Sequence, residues 1–337
     1  MNSADVMHKR FLNCERRKNS EGLKTVKLDR RAFIGGIADA GIAYALRGDE
    51  HKSDIGDTFV FLSDLHVDGG IKGSDHQNRR LEKTVDEILR LSPRPKGVVC
   101  FGDIACSYGL SSDYALAKRI LDKLENAGIA LHFMMGNHDR RSTFFEQYPR
   151  CAQHSLVPGR CVSAVDLGFA DLVLLDALKG TDDRALNDAG PGTGTLDAEQ
   201  LKWFENFVAN ARRTFFVGSH QFADLHIKGA SAISRAAQSR YFAGWIHGHD
   251  HRWEPSIRVC DWRKNEIKPV LGLPSSGRWG DIGYVIFRVS PRAAVAKLVM
   301  QDFYFRAPRP VDKRPAFWDA RISDLNGAEV HFPFNQI

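Results

Sequence analysis

The stretch Thr58-Phe59-Val60-Phe61-Leu62-Ser63-Asp64-Leu65-His66 changes character in one step, from five residues of β-favouring chain to a polar segment carrying a carboxylate and an imidazole. An unbroken apolar run of this length reads as a strand buried on both faces, and the polar residues that stop it read as a loop. Downstream, Leu81, Val85, Ile88 and Leu89 recur at helical spacing until Pro93 and Pro95 break the pattern. Gly97-Val98-Val99-Cys100-Phe101 is a second buried strand, ending at Gly102-Asp103. A second helix carries Ala117, Ile120, Leu121 and Leu124 and stops at Gly128, and Ile129 to Met135 forms a third strand that runs into Gly136-Asn137-His138-Asp139. Right-handed crossovers make the three strands parallel, and polar residues gather beyond their carboxyl ends, where open α/β sheets bind ligands.

The second half predicts strands at Leu172 to Leu175, Thr214 to Val217 and Tyr241 to Ile246, with a helix around Leu201 to Val208. Strands near Lys268 to Leu271, Tyr284 to Val289 and Ala294 to Tyr304 follow without convincing helices between them, which predicts an antiparallel finish. The expected architecture is α/β, two sheets packed face to face with helices outside. The body of the fold spans 55–305, preceded by a leader at 1–50 and followed at 306–337 by a tail rich in Pro and charge.

Asp64 and His66 lie two residues apart, a spacing that in extended chain points both side chains to one side, and His249 and His251 share it. Asp103, Asn137, His138 and His220 each follow an apolar strand, so these donors can converge on one rim of the sheets. Imidazole, carboxylate and amide oxygen without thiolate suit Mn, Fe, Zn or Ni better than an all-oxygen Mg or Ca cage. Of the six cysteines, Cys14 lies in the leader, and the other five show no CxxC pair or regular spacing, so neither a disulfide framework nor a thiolate zinc site is expected. Cys151 and Cys161 could pair in an oxidising compartment.

The order Asp64-x-His66, Gly102-Asp103, Gly136-Asn137-His138-Asp139, Ser219-His220 and Gly248-His249-Asp250-His251 resembles the calcineurin-like metallophosphoesterases over roughly residues 57 to 300. The resemblance implies a sandwich of two mixed sheets and two divalent or trivalent ions, Mn, Fe or Zn. It puts Asp64, His66 and His251 on one ion, Asn137, His220 and His249 on the other, and Asp103 between them. Two dications about 3.5–4 Å apart need such a shared anion to offset their repulsion, and a water between them is acidified enough to attack phosphorus. His138 would face the substrate, protonating the leaving oxygen or holding a phosphoryl oxygen, with Asp139 orienting it. The implied partner is a small phosphomonoester or phosphodiester. One departure is Cys106, which stands where the purple acid phosphatases of this group have a tyrosine; Tyr108 is out of register, which argues against a tyrosinate-bound ferric site. A non-catalytic scaffold of this fold and a nuclease are the competing readings.

The formal charge of +6 sits mostly in the leader, where residues 1–48 hold ten Lys and Arg against five acids; the remainder has 37 basic and 36 acidic residues. The nearly neutral body offers no field for sequence-independent nucleic-acid binding. Within the leader, Asp29-Arg30-Arg31-Ala32-Phe33-Ile34 precedes a mildly apolar run from Gly35 to Leu46 that contains the small-x-small pattern Ala43-Tyr44-Ala45, and this resembles a twin-arginine export signal. Asp39 and the long basic stretch leave a cytoplasmic extension as the alternative. No segment has 18 uninterrupted apolar residues, so a membrane-spanning protein is not expected.

The remaining histidines, His8, His51, His76, His132, His154, His226 and His331, read as structural, and His247 as packing or as support for its neighbours. Of Arg140 and Arg141 at least one belongs to the surface, either being able to grip a phosphate. The polar loop Gly180 to Gly194 and the segment Pro274 to Gly280, with Arg278 and Trp279, are candidate rims of a binding site.

Overall fold

The computed structural model describes residues 56–70, 75–178, 194–222, 227–228, 235–261, 266–305, 308–310 and 313–334. The leader with its arginine pair and most of the loop from Gly180 to Gly194 lie outside them.

The first half alternates as its periodicity predicts: β1 (Asp57–Leu62), α1 (Asp75–Leu89), β2 (Gly97–Phe101), α2 (Ser111–Asn126) and β3 (Ala130–Met134), followed by two short helices, α3 (Arg141–Gln147) and α4 (Pro149–Gln153). Then come β4 (Ser163–Asp166), β5 (Asp171–Leu174), β6 (Gly194–Thr195), α5 (Ala198–Asn210), β7 (Phe215–Ser219), β8 (Ile227–Lys228) and β9 (Phe242–His247). The chain finishes with β10 (Glu254–Asp261), β11 (Glu266–Gly272), β12 (Gly280–Val289), β13 (Ala293–Tyr304), α6 (Ala316–Leu325) and β14 (Glu329–Pro333).

Two six-stranded sheets result, ordered β14-β13-β12-β1-β2-β3 and β10-β11-β9-β7-β5-β4. Both are mixed. β1, β2 and β3 run parallel while β12, β13 and β14 are antiparallel, and in the second sheet β5, β7, β9 and β11 are parallel with antiparallel β4 and β10 at the edges. The expected antiparallel finish therefore holds for β12 and β13 but not for β11, which pairs parallel to β9.

Side-chain alternation explains the layers. Phe59 and Phe61 of β1, with Val99 and Phe101 of β2, face Leu172, Leu174 and Phe216 of the other sheet, while the intervening Val60, Leu62, Val98 and Cys100 pack on Leu81, Val85, Ala117 and Leu121 of the covering helices. On the second sheet, Val173, Phe215, Val217 and Trp245 pack on Phe204 and Val208 of α5. A strand sandwiched on both faces needs the unbroken apolar run that the sequence shows. The segment beyond residue 305 differs from the expected tail. β14 pairs with β13 and sends Phe332, fully buried, into the core between the sheets beside Phe216 and Phe287. Among the described residues no helix is long and apolar enough to cross a membrane.

Candidate metal centre

The loops after β1, β2, β3, β7 and β9 meet at one end of the two sheets. Backbone bonds stitch the first two together, with Asp64 N–H donating to Gly102 O (3.1 Å) and His66 N–H to Asp103 O (2.9 Å). Side chains extend the stitching: His249 N–H donates to Asp64 Oδ2 (3.1 Å) and His138 N–H to Asp103 Oδ1 (2.8 Å). Gly136 is required by this closeness, because a Cβ there would lie 2.2 Å from Asp103 N, and Gly102 both adopts φ +82 and would put a Cβ 2.7 Å from His220 Nδ1.

The two i, i+2 pairs converge, but not as extended chain. Asp64 (φ 53), His66 (φ 47), Asp103 (φ 48), His249 (φ 71) and His251 (φ 52) all occupy the left-handed region. Six described non-glycine residues have positive φ, and these are five of them. Such conformations disfavour side chains with a Cβ and persist only where surrounding contacts impose them, which is common at functional sites.

Three groups of donors lie within mutual reach: Asp64 with His66 and His251; Asp103 with His220 and His249; and Asp103 with His66 and His138. Asp103 Oδ2 is 3.2 Å from His220 Nε2, 3.7 Å from His66 Nε2 and 3.9 Å from His138 Nε2, so it stands between the clusters. Asp64 Oδ1 lies 3.1 Å from His251 Nε2, and Asn137 Oδ1 2.9 Å from His249 Nδ1.

The tautomers identify what this cluster is built to hold. His66 Nδ1 faces Cys106 O (3.2 Å), His220 Nδ1 faces Phe101 O (2.7 Å) and His251 Nδ1 faces Trp279 O (3.0 Å). A carbonyl only accepts, so each Nδ1 carries a proton, and each Nε2 is turned inward with a lone pair to offer once any proton there is displaced. The Nε2 atoms of His66 and His251 face each other at 3.1 Å, and Asp64 Oδ1 and His220 Nε2 are buried without a hydrogen-bond partner. Buried lone pairs aimed at each other and at two carboxylates are unfavourable unless a cation sits among them, so the residues fit two metal ions. Electrostatics agree. Burial works to raise the Asp64 carboxyl, but His251 and His220 outweigh it and hold the carboxyl below the usual range. Burial alone would lower His220, whereas the carboxylates of Asp103 and Asp64 lift it to about 10. The pocket thus attracts positive charge, and a cation would displace those protons.

His138 shares the third of those donor groups with Asp103 and His66, but its side chain is one-third exposed at the rim. Asp139 does not orient it. Its oxygens instead accept from Ile104 N–H (3.0 Å), Ala105 N–H (3.0 Å), Gly136 N–H (2.8 Å) and Tyr114 Oη (3.1 Å), clamping the loops after β2 and β3 together. Burial and the charge of Asp103 push its carboxyl up to about 7. The expected orienting contact is absent because those four donors occupy the Asp139 oxygens, while His138 Nε2 faces Asp103 at 3.9 Å.

Other expectations divide similarly. His247 is buried, its ring 5.3 Å from Phe222 and its Nδ1 2.9 Å from Gly248 O, a packing role that burial reinforces by lowering its basicity. Arg141 is buried in a bidentate pair with Asp176, at 2.7 Å for each bond, and is not a surface or phosphate residue. Cys106 is buried with its carbonyl on His66, Tyr108 is exposed, and Cys151 and Cys161 are free thiols. Several contributors carried no signal of their own in the sequence. Ser63 Oγ donates to Asp64 Oδ2 (2.5 Å), Gln77 Nε2 to His66 O (2.6 Å), and Gln221 Nε2 reaches Asn137 Oδ1 (3.4 Å). Only adjacency to a motif marks Ser63 and Gln221, and nothing local marks Gln77.

No curated protein matches the chain. Among solved structures, a dimetal phosphatase from Danio rerio is similar at 16% identity over 72% of this chain and 95% of its own, with a TM-score of 0.56. PhoD is similar at 14% identity over 73% of this chain and 66% of its own, with a TM-score of 0.52; both likenesses are of fold. The sequence pattern of the calcineurin-like phosphoesterases matches residues 58–253. Because that match spans more than half of the chain and takes in every loop from Asp64 to His251, the chain belongs to the calcineurin-like phosphoesterase family and is a metal-dependent phosphoesterase.

Proposed function

We propose that the chain hydrolyses small phosphomonoesters or phosphodiesters with two cations, one held by Asp64, His66 and His251, the other by Asn137, His220 and His249, and both by Asp103. The observation that carries this reading is the inward aim of the His66, His220 and His251 Nε2 lone pairs, set by Nδ1–H bonds to three backbone carbonyls. When bound, two cations supply an acidified water and a counter-charge for the phosphoryl oxygens. The chain's own part is to hold the donors in place without rearrangement during the reaction, which the backbone stitching and the Asp139 clamp achieve. His138, partly open and anchored through its own N–H to Asp103, would give a proton to the leaving oxygen. The donor set favours Mn, Fe or Zn. Chelation is expected to abolish hydrolysis of a chromogenic ester, with Mn restoring it better than Mg. Full activity in protein shown by elemental analysis to be metal-free would sink this reading.

We further infer export by the twin-arginine route, on the sequence of the leader alone. Replacing Arg30 and Arg31 with Lys should leave the protein in the cytoplasm, because the export receptor reads the arginine pair itself. Unchanged fractionation of that double variant would return the leader to a cytoplasmic extension.

A further inference from the structure

The hydrolytic reading leaves the organic half of the substrate unassigned, and the segment from Pro274 to Gly280 bears on it. This segment is knit to the metal-site loops. Ser275 Oγ donates to Asp64 O (2.8 Å) and accepts from Arg278 N–H (2.9 Å), Ser276 N–H donates to Ser63 O (2.7 Å), and Trp279 O holds His251 Nδ1 (3.0 Å). Trp279 is the sixth described non-glycine residue with positive φ, at 22, and the other five are all donors of the metal centre. That bend lays the indole against the His251 ring, with centroids 4.2 Å apart and planes 34° from parallel. Phe305 meets Trp279 edge-on at 6.3 Å and is 57% exposed, so the pair is open to solvent on one side. Arg278, only partly buried, has no carboxylate partner among the described residues, and its Nη1 reaches only Cys106 Sγ, at 3.7 Å. A guanidinium without a counter-ion suits a phosphoryl oxygen, and a partly open aromatic pair suits a planar ring.

We propose that Arg278, Trp279 and Phe305 form a nucleotide subsite beside His251, in which the guanidinium takes a phosphoryl oxygen and the Trp279–Phe305 ledge stacks the base. The substrate class is then nucleoside phosphate esters. This inference rests on the phosphoesterase reading, but the ledge is tested by a ratio that does not require turnover.

The probes are adenosine 5′-monophosphate and ribose 5-phosphate, with the methyl ester of each, so that monoester and diester pairs differ only by the base. Metal-loaded full-length protein is assayed for kcat/KM and, by calorimetry, for binding. Base-bearing probes should be favoured about tenfold or more over their base-free partners. Trp279→Leu and Phe305→Ala should each shrink that ratio several-fold, each variant's base-bearing probes being compared with its own base-free probes. Phe305→Ala tests the ledge even if the leucine variant folds poorly, because Phe305 is largely exposed. Arg278→Gln should weaken all four probes about tenfold or more with the ratio intact. Equal handling of base-bearing and base-free probes by the wild type would overturn the proposal, as would Trp279→Leu and Phe305→Ala variants that depress both alike, which is what mere packing predicts. Binding with the base preference but no hydrolysis of any probe would remove the phosphoesterase reading and leave the subsite standing.

Discussion

Asp103→Asn is expected to leave the protein folded, to lower its bound metal by at least one ion per chain, and to reduce turnover by more than about 100-fold. The substitution is nearly isosteric, so the remaining amide oxygen can still accept from His138 N–H, a bond of 2.8 Å in the native chain. What disappears is the charge that stands 3.2 Å from His220 and 3.7 Å from His66, between the two donor clusters. Two dications at close range need that charge, and altering even an outer partner of a metal ligand typically costs 10–100-fold, so removal of a bridging carboxylate should exceed that range. Elemental analysis and turnover measured on one preparation check it. Normal metal content in the variant would show that Asp103 does not bridge.

His138→Ala should behave differently, keeping its metal while losing rate. If His138 gives a proton to the leaving oxygen, an ester with a poor alkoxide leaving group should slow by about 10²–10⁴. A nitrophenolate ester, whose leaving group departs without that proton, should slow much less. The structure gives the contrast its basis, because His138 is one-third exposed at the rim, whereas His220 is wholly buried among the donors. Equal losses on both esters at normal metal content would assign His138 to phosphoryl charge stabilisation instead.

The sandwich and its donors were legible because both leave local marks. A strand covered on both faces must be apolar without interruption, and 59–62 and 98–101 are; candidate donors stand just after the strands, as Asp64, Asp103, Asn137 and His220 do. The edge strand β14 leaves no such mark. β14 reads Glu329-Val330-His331-Phe332-Pro333 and buries only Phe332, so its identity comes from pairing with β13 and not from its own composition. Convergence of Asp64 with His66 was anticipated from the pleat of an extended chain, yet left-handed turns at both residues produce it. Parity found the destination by a route the backbone does not take. The Arg141–Asp176 pair joins residues 35 positions apart, and no periodicity could have linked them. For Asp139 the opposite holds. Its neighbour in sequence is His138, but its carboxylate goes to the amides of Ile104, Ala105 and Gly136, since buried N–H groups in tight loops must find an acceptor.

The proposed metal centre holds two cations on either side of Asp103. Anomalous scattering from a crystal of manganese-loaded protein, collected on both sides of the metal absorption edge, tests it most directly. Two peaks are predicted, one among Asp64, His66 and His251 and one among Asn137, His220 and His249, each also in contact with the Asp103 carboxylate. A single peak, or peaks away from Asp103, would contradict the account.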